Sequence, residues 1–263
     1  MARPVSTFIA LALALVSVLS GVVDARTFTV TNSCPYTIWP ALFTDLHAGN
    51  AVPQQATGWE AAPHTSVSFH VPDNWVAGRI WGRRNCDFRT NPGANSCLDG
   101  GCNGGLLCDP HTGTGVPPAT VAEFTLSSDP NAADNYDVSL VDGYNLPMRV
   151  TNNVGCHIAD CPVDLAPNCP AKLKGPFDSK GNPVGCRSAC QAGLSPDPAN
   201  SPYCCTGSHN TAATCPPSGV LDYHYFKDNC PNAYAYAYDE SSGTALWTCP
   251  SHLKADFTIQ FCP

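Results

Sequence analysis

The chain has 263 residues, only 13% of them charged, and a formal net charge of −8. That balance excludes nucleic acid, which is gripped through clustered lysine and arginine on phosphate, and it gives no electrostatic hold on anionic lipid. Neutral partners such as polysaccharides suit it better.

Residues 1–25 read as a secretory signal peptide. Arg3 is followed by the apolar run Phe8–Leu19, and Val23-Asp24-Ala25 precedes a cleavage point at Ala25–Arg26. The run is short for a bilayer span and no second one follows. A secreted protein, extracellular or in the cell wall, is expected, with no stable membrane insertion. All 16 cysteines lie downstream of this segment. An even count in an exported chain implies a disulfide framework whose pairing the spacing alone does not fix. Adjacent Cys204 and Cys205 should bond different partners, since bridging neighbours strains disulfide geometry. Zinc is the rival reading, because Cys156 and Cys161, and Cys186 and Cys190, are loosely metal-like pairs. The oxidising route and the lack of paired two-residue knuckles argue for disulfides and no metal.

Thr27–Cys34 alternates Phe28 and Val30 with threonines, the period of a strand. Tyr36–Phe43, Ser66–Val71 and Gly78–Trp81 continue the pattern. Pro92–Pro118 is rich in glycine without periodicity and reads as a loop held by its bridges. Ala119–Leu126, Tyr136–Val141 and Met148–Thr151 are further strands. Val154–Pro231 is rich in cysteine, proline and glycine, and reads as a stapled lobe with short helices at Cys186–Ala192 and Tyr223–Asn229. Tyr234–Tyr238 (YAYAY) puts three tyrosines on one face of an extended segment, where they could stack on sugar rings or simply pack. Asp256–Cys262 alternates like Thr27–Cys34, so the two ends should pair in one sheet, closed by a bridge between Cys34 and Cys262. The chain is then one folding unit, 26–263, with lobes inserted into it. Its β core takes in 26–83, 119–162 and 231–263, with a small loop lobe at 84–118 and a Cys-rich lobe at 163–230. A monomer is expected.

Val121–Met148 concentrates carboxylates in a charge-poor chain. It holds Glu123, one of only three glutamates, with Asp129, Asp134, Asp137 and Asp142. Asp129 and Asp134 fall in the connection between strands and read as solvated turn residues. Residues 137 and 142 differ by an odd number, so both can line one cleft only if the strand ends or bulges near Asp142-Gly143. No Gly-rich stretch has phosphate-loop spacing and no Gly-x-Ser-x-Gly elbow accompanies the histidines. No cofactor is called for.

Asn32–Trp39 (NSCPYTIW), Gly78–Arg83 (GRIWGR), Val141–Met148 (VDGYNLPM), Tyr203-Cys204-Cys205 and the terminal Phe261-Cys262-Pro263, with 16 cysteines in matching order, resemble the thaumatin-like family. That family has pathogenesis-related plant members and fungal relatives, and residues 69–88 look closer to the fungal ones. The resemblance implies a mainly β fold: a flattened antiparallel β-sandwich with two small disulfide-rich lobes. It implies the pairs Cys34–Cys262, Cys86–Cys97, Cys102–Cys108, Cys156–Cys249, Cys161–Cys230, Cys169–Cys186, Cys190–Cys204 and Cys205–Cys215. It also implies a cleft lined by Arg79, Glu123, Asp137, Asp142 and Asp239. Tyr144, like the tyrosines of Tyr234–Tyr238, could stack on a sugar ring there or simply pack. The chain departs from the family at Asp99-Gly100-Gly101, where an aspartate usually precedes Cys102, and at Asn232, where many members carry aspartate.

Such a cleft is expected to bind β-1,3-glucan, in antifungal defence or wall remodelling. If it also hydrolyses glucan, two carboxyls must flank the bond, one protonated and one ionised. Glu123, among apolar neighbours, is the expected acid and Asp142 the base or nucleophile. Asp137, Asp239 and Arg79 would set the field and bind sugar hydroxyls. The alternatives are a glucan binder without catalysis and a membrane-perturbing or inhibitory protein. The acids could also simply pair with Arg79 and fix the junction between lobes.

Overall fold

The computed structural model describes residues 25–263, so the expected signal peptide, but for Ala25, lies outside the described residues. In chain order the strands are β1 (Ala25–Asn32), β2 (Ala41–Thr44), β3 (Thr65–Pro72), β4 (Gly78–Trp81), β5 (Val121–Thr125), β6 (Ala133–Ser139), β7 (Met148–Asn152), β8 (Ala159–Cys161), β9 (Trp247–Pro250) and β10 (Phe257–Phe261). They form two five-stranded sheets, β3-β1-β10-β7-β8 and β2-β4-β5-β6-β9. All pairings are antiparallel except that of the two ends, where β1 and β10 run parallel with Phe28 opposite Phe257 and Val30 opposite Ile259.

The inward residues of the two sheets interlock. Phe28 and Phe257 from the first sheet meet Phe124 from the second, with ring centroids 4.8 Å and 5.4 Å away. Trp75 stacks on Phe124 at 5.9 Å. Each such ring contributes roughly 1.5–3 kcal/mol by burial. Gly78 at the start of β4 is fixed by this packing, because a Cβ there would lie 2.2 Å from the Trp75 ring.

Eight disulfides hold the chain, in the pairing the resemblance implies. Cys34–Cys262 joins the two ends across 228 residues; a bridge of that span stabilises by roughly 3–5 kcal/mol. Cys204 and Cys205 bond Cys190 and Cys215 respectively.

Several expectations need correction. Among the described residues the only α-helix is α1 (Tyr223–Asn229), as expected there, but Cys186–Ala192 is not helical. The Cys186 backbone is taken by Tyr144, N–H to O at 2.8 Å and O to N–H at 2.7 Å, which holds it in an extended bridge. Tyr36–Phe43 yields a strand only from Ala41, after Pro40. Tyr234–Tyr238 is not a strand either: only Tyr234 makes a β-bridge, to Ser139, and Tyr234 and Tyr236 are buried. The backbone here is drawn inward instead: Ala233 O, just before the segment, accepts from Lys227 Nζ at 2.9 Å, and the Ala235 N–H donates to Asp239 Oδ2 at 2.9 Å. The short strands β8 and β9 lack the periodicity that revealed the others.

Asp134 is not a solvated turn residue. It is fully buried and ion-paired with Arg26, which is itself buried and also donates to Asp73 Oδ1 at 3.1 Å. Asp129, by contrast, is exposed and caps its own turn, accepting from the Asn131 N–H at 2.9 Å.

Candidate functional site

The second sheet turns alternate residues outward. Ile80, Ala122 and Val138 point into the core and are fully buried. Their neighbours Arg79, Glu123 and Asp137 therefore lie on the opposite face. The register makes them one straight row across four strands: Phe43 opposite Arg79, Arg79 opposite Glu123, Glu123 opposite Asp137. Three residues far apart in sequence are thus placed side by side by strand pairing alone.

Asp142 joins them from outside the sheet. β6 ends at Ser139, and the chain turns with the Gly143 N–H donating to Leu140 O at 2.9 Å. Gly143 has φ +79°, and a Cβ there would sit 2.9 Å from the Cys186 carbonyl oxygen. The turn therefore depends on glycine. It brings Asp142 Oδ2 to 3.2 Å from Arg79 Nη2, while Arg79 Nε donates to Glu123 Oε1 at 2.8 Å. One guanidinium holds two carboxylates, all three side chains about a quarter to a third exposed.

Asp137 is different in kind. It is nearly buried, and its Oδ1 has no hydrogen-bond partner among the described residues. Burial pushes its carboxyl well above the usual range, the facing Glu123 and the nearby Glu240 push it further up, and Arg79 pulls it back only in part.

A groove runs over this row. On the Asn135 side of Asp137 a cavity of about 350 Å³ is lined by Phe43, Thr114, Thr125 and Leu246 as well as the row itself. On the Ser139 side a second, of about 280 Å³, is lined by Val141, Tyr234, Ala237 and Glu240. Arg79, Glu123 and Asp137 belong to both, so they form the waist of one groove. Its walls mix apolar surface with carboxylates, hydroxyls and an amide, a lining suited to a neutral, hydroxyl-rich ligand.

Two expected cleft residues are placed elsewhere. Asp239 is fully buried, accepting from Tyr223 Oη at 2.8 Å and from the Ala235 N–H, with Lys227 Nζ 2.9 Å away. Those partners occupy its oxygens and turn it from the groove, and the adjacent Glu240 lines the groove instead. Tyr144 is also fully buried, its hydroxyl donating to Asp164 Oδ1 at 3.2 Å and its backbone bridging to Cys186. No ring face is left for a sugar. Glu240 carried a signal in the sequence, as one of the three glutamates, but nothing there separates it from Asp239.

Both departures from the family pattern are structural. Asp99 is buried, accepts from Asn145 Nδ2 at 2.9 Å, and is pushed up to about 7 by burial. Asn232 Nδ2 donates to Asp160 Oδ1 at 3.0 Å. Among the described residues no group of His, Cys, Asp and Glu side chains is arranged to hold a metal ion.

The family model described as "Thaumatin family" matches residues 32–263, and the chain belongs to that family. It is 41% identical to pathogenesis-related thaumatin-like protein 3.5 of Cryptomeria japonica, over 91% of this chain and 90% of that one. It is 38% identical to a glucan endo-1,3-beta-glucosidase of Prunus avium, over 97% of this chain and 98% of that one. Both are plant proteins, and the leaning of residues 69–88 toward fungal members finds no echo in them. Among solved structures, a laminaripentaose-producing beta-1,3-glucanase in complex with laminaritetraose is similar with a TM-score of 0.53 at 12% identity, covering 91% of this chain and 99% of that one. At that identity the likeness concerns the fold alone.

Proposed function

We propose that this is a secreted protein that binds β-1,3-glucan in the groove across the second sheet, in antifungal defence or wall remodelling, and hydrolyses it slowly. The observation that carries the reading is the in-register row Arg79–Glu123–Asp137 at the waist of an open groove. A linear glycan laid along the groove would cross the row, meeting a cation and carboxyls at its centre and mixed walls on either side. The relative from Prunus avium, named a glucan endo-1,3-beta-glucosidase and alike over nearly its whole length, supports the same substrate class. The 16 cysteines, all paired, support an oxidising, extracellular destination.

Hydrolysis asks for one protonated and one ionised carboxyl near the bond, and the row contains both a carboxylate paired to Arg79 and a buried carboxyl. A binder without catalysis is the second reading, favoured by Arg79, which ties two of the acids into ion pairs. Sedimentation with insoluble β-1,3-glucan tests binding, and sugar release from soluble β-1,3-glucan tests cleavage. Absence of binding overturns the proposal. No sugar release by the wild type removes hydrolysis and leaves the binder.

A further inference from the structure

The geometry points to Asp137, not Glu123, as the hydrogen donor of the groove: a neutral carboxyl that hydrogen-bonds a glycan oxygen and, where the glycosidic bond is cut, delivers the proton. The inference rests on the glucan reading above and assigns a role within that site.

Glu123 is poorly placed for this task. Its Oε1 accepts from Arg79 Nε at 2.8 Å, an ion pair that uses it as a carboxylate. Asp142 is held in the same way. Asp137 has neither a cation in contact nor a donor for its buried Oδ1, and it faces the Glu123 carboxylate directly across the strand pair. Two adjacent carboxyls, one paired to a guanidinium and one buried without a partner, share their proton unequally, and it stays on the buried one. Asp137 nevertheless lines both halves of the groove. With Oδ1 buried, Oδ2 is the oxygen left to meet a ligand.

The surroundings of Asp137 are consistent on every side. Glu123 on β5 and Glu240 after α1 are acidic, Tyr234 is a phenol, and Arg79 on β4 is the one cation, beyond Glu123 in the row. β9, its other neighbour in the sheet, brings no ionisable group. Arg149 and Asp160, on the strands packed against β6, pair with each other.

In cleavage the Asp137 proton passes to the glycosidic oxygen. The bond from that oxygen to the anomeric carbon breaks, with its electron pair going to the oxygen. Water adds to the anomeric carbon and gives its proton to a carboxylate held by Arg79, and that proton returns to Asp137 through solvent. The net change is one water consumed per bond.

The test is calorimetric binding of a soluble β-1,3-glucan oligosaccharide across pH, with wild type, Asp137→Asn and Glu123→Gln. Wild-type affinity should fall roughly tenfold as pH rises through the Asp137 transition. Asp137→Asn, whose amide still donates, should bind without that fall and should lose sugar release. Glu123→Gln should keep the fall but shift it to lower pH, an effect a merely structural Asp137 would not show. Carbon-13 spectra of labelled aspartate should show, besides the raised carboxyl of Asp99, a second carboxyl titrating well above the ordinary range that is present in wild type and missing from Asp137→Asn. PH-independent wild-type binding, or an Asp137 signal in the ordinary aspartate range, overturns the inference while leaving the glucan reading intact. No binding at any pH overturns both.

Discussion

Lys227 Nζ lies 2.9 Å from Asp239 Oδ2, and both side chains are buried where α1 meets the segment after it. Lys227 also donates to Ala233 O, and Asp239 takes the Tyr223 hydroxyl and the Ala235 N–H. The pair fixes how the Cys-rich lobe approaches the groove wall carrying Tyr234 and Glu240. Asp239→Ala should therefore leave an unpaired buried cation and cost about 3–5 kcal/mol. Urea denaturation checks it, and an unchanged midpoint would return Asp239 to the surface of the groove.

Arg79 should matter more for binding than for stability. Its two ion pairs are partly exposed, so Arg79→Ala should change stability by no more than about 1 kcal/mol. Without it Glu123, Asp137 and Asp142 face one another with no cation between them, and glucan affinity should drop roughly tenfold or more. Arg79→Lys should not rescue binding, because a single ammonium does not span two carboxylates as a planar guanidinium does. Affinity measured beside the melting temperature separates the two effects.

Asp99 should give the protein a pH-dependent stability unrelated to the groove. Burial raises its carboxyl from the ordinary 3.8 to about 7. The folded state then holds a proton that the unfolded state has released, so stability is highest below the unfolded value and is lost as pH rises through about 7. The loss should be on the order of a few kcal/mol. Asp99→Asn, which keeps the shape and needs no proton, should flatten the profile. Denaturation midpoints followed from below 3.8 to above 7 provide the measurement, and a parallel profile in the variant would count against this role.

The strands that alternate, the pairing of the two ends, the presence of a disulfide framework and the segments that carry the groove acids are legible in the sequence. Those properties are local or combinatorial: period-two alternation at Phe28 and Val30 marks a face whatever lies opposite, and cysteine order constrains closure. For Asp137 and Asp142 to share a cleft, the odd interval between them asked the strand to end or bulge near Asp142-Gly143, and it ends at Ser139. Which acids face the groove and which are buried in ion pairs depends on long-range packing. Asp239 and Glu240 are adjacent, yet Lys227 and Tyr223 claim the first and leave the second to the groove. Asp134 looked solvated until Arg26, 108 residues away, was folded against it. Tyr144 lost its ring face to the Cys-rich lobe. Burial and charge pairing are set by what packs across from a residue, and for these side chains every deciding partner lies beyond its own strand or turn.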